Sequence, residues 1–136
     1  MKQILTAVFV ALILAGCTDE KVQEKALFDS VIKVHDEVMG ADEQLMKNKI
    51  LLDSIAKSDS TAGTRDTVFL YLKKLNNADS AMSDWMHKFD PENTGKPHNE
   101  IMVYLSNQKK QIEAVNARVK AAITSSDEYL AKHKLK

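Results

Sequence analysis

With 136 residues, 19 basic and 19 acidic side chains and a formal net charge of zero, the chain suits one domain with one core and is too short to expect two. Balanced charge offers no basic face of the kind nucleic acid requires, so no nucleic-acid partner is expected. One cysteine excludes an internal disulfide and a multi-thiolate metal site.

The N-terminus reads as an export signal. Lys2 supplies a positive start, and Ile4 to Ala15 is apolar except for Thr6. The run is about a dozen residues, short of the roughly 18 that a membrane-spanning helix needs, so removal after export is expected rather than insertion. The run ends at Leu14-Ala15-Gly16-Cys17, which resembles the lipobox of bacterial lipoproteins. That resemblance implies a diacylglyceryl group on the Cys17 sulfur, cleavage before it and acylation, palmitate in type, of the new amine. Several acyl chains hold a protein firmly where one alone binds only marginally. Thr18-Asp19-Glu20 resembles the acidic stretch of Bacteroidota lipoproteins exported to the cell surface, and equally suits a helix N-terminus. The expected organisation is therefore a signal peptide over 1–16, a lipidated N-terminus and short tether over 17–21, and a helical domain over 22–132. Losing Lys2 with the signal leaves one more acid than base.

Leu27, Val31, Val34, Val38, Ala41, Leu45, Asn48, Leu52 and Ile55 recur at alternating steps of four and three, the spacing of one helical seam. A long first helix is predicted from about Val22 to Lys57, with Gly40 costing on the order of 1 kcal/mol inside it and marking a soft point. "SDSTAGTRD" reads as a connection, with Asp66 placed to cap a second helix from about Thr67 to Phe89. Its stripe is Val68, Leu72, Leu75, Met82, Met86 and Phe89, interrupted by Asp79, a polar seam residue of the kind that sets register. Asp90-Pro91 ends it. Pro97 suits the first position of a third helix, carried by Ile101, Leu105, Gln108, Ile112, Val115, Val119 and Ala122 to about Lys132. No period-two segment of useful length is present. Short connections make successive helices antiparallel neighbours, so the expected fold is all-α, an up-down-up antiparallel three-helix bundle. Its first and third helices would overhang the second and leave faces open to a homo-oligomer.

The stretches "VIKVHDEVMGADEQL", "ADSAMSDWMHKFDP" and "YLSNQKKQIEAVNARVKAAI" resemble a family of uncharacterised Bacteroidota lipoproteins labelled "viral A-type inclusion protein", a label that follows generic coiled-coil similarity. The likeness spans nearly all of the chain after Cys17 and implies a lipid-anchored helical protein without implying an activity. Gly40 is a departure, standing near the place where relatives are expected to carry proline.

One constellation invites chemistry. His35 and Met39 share a helical face, as do Met82 and Met86, with Trp85 beside the second pair. Counting equally from Lys57 and Thr67 sets Met39 against Trp85, and Met102 begins the third helix near that level. Thioethers with imidazole suit Cu(I), and an indole face attracts cations. The same residues are ordinary core material, methionine as gap-filler and tryptophan as anchor. A b-type haem on His35 and a methionine is a weaker alternative, and the absence of C-x-x-C-H excludes covalent haem. His87 and His98, with Asp90, Glu92 and Glu100, form a weak zinc pattern around the second loop. No nucleophile elbow or phosphate-binding glycine loop is present.

These observations lead to a non-enzymatic lipoprotein of a bacterial cell envelope. It is expected at the outer membrane, facing the periplasm or the surface, as a structural or interaction module with no cofactor and with a protein partner or its own copies on its helical faces. The alternative is an envelope copper-binding protein using His35, Met39, Met82 and Met86.

Overall fold

The computed structural model describes the backbone of residues 2–133 and the side chains of residues 19–133; the side chain of Cys17 lies outside that range. Four helical segments follow one another: α1 Lys2–Gly40, α2 Asp42–Ser58, α3 Ala62–Lys88 and α4 His98–Lys132. α1 and α2 form one long rod with a bend, so the molecule is an all-α, up-down-up three-helix bundle. Among the described residues there is no strand, and no helix is long and apolar enough to cross a membrane.

The bend falls at the predicted soft point. Gly40 ends α1, and the amide of Ala41 bonds the carbonyl of Val38 at 3.0 Å, a tight three-residue closure, before Leu45 resumes the ladder on Ala41 at 3.1 Å. Both segments keep their apolar seam inward: Val31 and Val38 from α1, and Leu45, Leu52 and Ile55 from α2, are buried. They meet Val68, Leu75, Ala78, Met82 and Trp85 of α3 and Ile112, Val115, Val119 and Ala122 of α4 in one core. Fully burying a side chain of this size contributes roughly 1.5–3 kcal/mol, so this continuous seam is what holds three otherwise separate rods together.

The first connection is shorter than expected. Asp59 accepts the Thr61 amide at 3.0 Å and the Thr64 hydroxyl at 2.7 Å, and the Thr61 carbonyl accepts the first ladder bond from Arg65. α3 thus starts at Ala62, five residues before the predicted Thr67, and Asp66 lies inside the helix instead of capping it. A carboxylate that engages the threonine amide ahead of the helix supplies the start signal that the later aspartate was expected to give.

The second connection behaves as its composition suggests. Asp90 donates its amide to the Tyr104 hydroxyl at 2.7 Å, and Gly95 takes φ +82°, a left-handed turn conformation that side chains disfavour. Pro97 occupies the cap position and not the predicted first helical one, so α4 starts at His98, and the Pro97 carbonyl receives the amide of Ile101 at 3.2 Å.

Candidate functional site

Polar and aromatic contacts fix how the three rods are aligned. Glu24 of α1 meets His98 of α4 at 3.0 Å, Glu37 accepts from Asn116 at 3.1 Å, and Asn48 of α2 reaches Ser126 at 2.8 Å. α4 therefore runs parallel to the first rod. α3 runs the other way, with Lys49 bridging Asp79 at 3.2 Å across α2 and α3. Asp79, the acidic intruder in the apolar stripe, is partnered at the rim of the bundle.

The predicted constellation sits on the seam between α1 and α3. The His35 imidazole lies 5.9 Å from the Trp85 indole, ring centroid to ring centroid, at 36°. Trp85 stacks on Phe89 at 4.8 Å, Phe89 on Phe28 at 6.2 Å and on Tyr104 at 6.3 Å. The residue of α1 at the level of Trp85 is thus His35, not Met39 as the equal count from the loop gave. The early start of α3 moves the alignment by one turn. His35 bonds its neighbour Asp36 through Nδ1 at 3.0 Å.

The thioethers occupy unlike surroundings. Met82 is in the core, whereas Met39 and Met86 are each almost half exposed. An imidazole tilted against an indole, with one methionine inside and two at the surface, is what an aromatic column packed between two helices produces. The Trp85 Nε1 hydrogen is buried without a partner.

The zinc pattern around the second loop does not assemble. His87 bonds back to the Ser83 carbonyl at 2.7 Å, while His98 turns to Glu24, so the two imidazoles are committed to different helices. Among the described residues no group of three or more histidine, cysteine, aspartate or glutamate side chains has metal-holding proximity.

Two features escaped the sequence. The first is a hydrogen-bonded network inside the distal half. Asn48, fully buried, donates to Ser126 Oγ at 2.8 Å and Asp127 Oδ1 at 2.7 Å, and accepts from Gln44 at 2.8 Å; Gln44 also reaches Asp127 at 3.1 Å. Asn48 stood in the apolar seam and Ser126 lies one turn beyond Ala122; that polar pair on facing seams was the available signal. The second is the carboxylate set at the helix junctions. Hydrogen bonds from Lys21 and then His98 hold Glu24 below the usual carboxylate range; Asn116 and then Lys120 do so for Glu37; Thr64 and then Thr61 do so for Asp59. Burial pushes the Tyr129 phenol up, helped by the neighbouring Tyr71 and Asp59.

An open groove runs between α3 and α4, floored by Ala81, Ala121 and Ala122 and edged by Lys74, Asp84 and Arg118. The groove opens between α3 and α4, whereas the imidazole and indole meet between α1 and α3. The comparisons with known proteins add no relative: no family model, no curated protein and no solved structure matches this chain.

Proposed function

We propose that this protein is a non-enzymatic, lipid-anchored module of a bacterial cell envelope, tethered at the outer membrane through Cys17 and working through its helical faces. The observation that carries this reading is the Glu24–His98 contact at 3.0 Å, which ties the start of the bundle to the chain immediately after Cys17. The segment from Cys17 to Glu24 reaches at most about 25 Å even at full extension. A bundle so attached rises directly from the bilayer, with the 89–97 connection at its foot and the 59–61 connection at its tip. Large apolar side chains left exposed on α2 and α3, among them Ile50 and Phe69, support a role in contact with another surface.

The test is membrane fractionation with a radiolabelled or alkyne-bearing fatty acid. The native chain is expected in the membrane fraction carrying label. Cys17→Ser is expected to carry none and to leave that fraction. Label retained in Cys17→Ser, or a native chain free of lipid, overturns the anchor.

A further inference from the structure

The outward side of α2 carries a pattern that is complementary to itself. Met46 and Ile50 are one turn apart and remain 43% and 64% exposed, although both are large and apolar. Four charges flank them on the same helix: Glu43 and Lys47 on one side of Ile50, Asp53 and Lys57 on the other. Asp53 and Lys57 pair within the chain at 2.7 Å with both side chains more than half exposed. Glu43 and Lys47 make no ion pair among the described residues.

We propose that this face is a self-association surface on which a second copy docks antiparallel, with a two-fold axis at Ile50. The proposal deepens the reading of the bundle as an interaction module and names its partner as this same chain. Two-fold symmetry makes residues equidistant from Ile50 face one another. Glu43 then opposes Lys57 and Lys47 opposes Asp53, each twice, so every flanking charge meets its opposite while Ile50 packs on Ile50. Acidic residues in the first turn of each α2 also lie beside the basic last turn of the other, as the opposed helix dipoles favour. The competing arrangements are worse. A parallel pair sets Glu43 on Glu43 and Lys47 on Lys47, and an antiparallel pair with Met46 on Ile50 sets Glu43 on Asp53.

The experiment uses the full chain in mild detergent with Cys17→Ser, so that an introduced cysteine is the sole thiol and dimerisation is read without the anchor. Sedimentation over a concentration series is expected to show a dimer. Ile50→Cys is expected to form a disulfide-linked dimer under mild oxidation. Lys47→Cys is expected to link to Asp53→Cys in a mixture and not to itself. Lys47→Glu should weaken the dimer about tenfold, since each rim pair contributes little alone, and Lys47→Glu with Asp53→Lys should restore it. Circular dichroism checks that these exposed substitutions keep the helices. A monomer throughout the series, a Lys47→Cys chain that links to itself, a dimer indifferent to Ile50→Glu, or a charge swap that does not restore association overturns the proposal. A dimer in Cys17→Ser beside an unlipidated native chain would remove the envelope reading alone, and a lipidated but monomeric chain would remove this one alone.

Discussion

Asn48 has no exposed surface, and its amide is satisfied by Gln44, Ser126 and Asp127, with a longer bond to the Ile123 carbonyl. Truncation to alanine removes the centre of that network and leaves Gln44 and Ser126 with fewer partners in a low-dielectric setting. Asn48→Ala is therefore expected to cost about 1–3 kcal/mol in chemical denaturation. Trp85 presents the opposite case. Its indole nitrogen has no partner, so Trp85→Phe removes volume but no hydrogen bond and is expected to cost no more than about 1.5 kcal/mol. The same contact bears on the copper reading. With His35 on Trp85, Met82 in the core and Met39 and Met86 at the surface, Cu(I) titration against a competing chelator is expected to show no competition at micromolar metal. Tight binding lost in both His35→Ala and Met39→Ala would reverse that expectation. The seam position of Asn48 was readable from spacing alone, but its partners were not, because they lie on α4, distant in sequence, and only the alignment of α4 with the first rod brings them near.

At the level of elements, the periodicity of apolar residues located all three rods and the C-terminal end of each to within a residue, while α1 begins at Lys2, ahead of the predicted start at Val22. It placed the start of the second five residues late, because the competing signal, Asp59 with Thr61 and Thr64, acts through loop hydrogen bonds that leave no mark on the period. The bend tells a related story. A methyl group added at Gly40 would meet nothing within 4 Å, and Gly40 does not take a positive φ, so no steric demand explains the glycine there. Gly40→Ala should then stabilise the protein by about 0.5–1 kcal/mol, chiefly by restricting the unfolded chain, and raise the melting temperature by a few degrees. A loss of stability on that substitution would show that the bend needs glycine after all.

For the whole molecule, the carboxylates at the helix junctions set the response to acid. Glu24, Glu37 and Asp59 each titrate lower when folded than their ordinary values of 4.5, 4.5 and 3.8. The unfolded chain therefore takes up protons first as pH falls. The stability these groups provide is whole above the ordinary values and drains away as pH drops through the lower folded ones. Thermal unfolding followed from pH 6 to pH 2 should show a falling midpoint, with a shallower fall for Glu24→Gln, which has no charge left to lose. Tyr129 acts in the other direction: its raised phenol favours the neutral form, so its contribution is present below pH 10 and lost as pH climbs through the folded value. The class of fold was legible because each seam is long and regular. The site was less so, since which side chains share a level depends on loop lengths that composition only approximates.

Because α4 runs alongside the first rod in the same direction, residue 132 ends up at the opposite pole from Glu24, some 50 Å of helix away from His98. Anything spliced on behind His133 would be carried aloft like a flag, clear of whatever ground the other pole stands on. A fluorescent reporter or an epitope placed there should be open to antibody in intact cells whenever the whole rod faces outward.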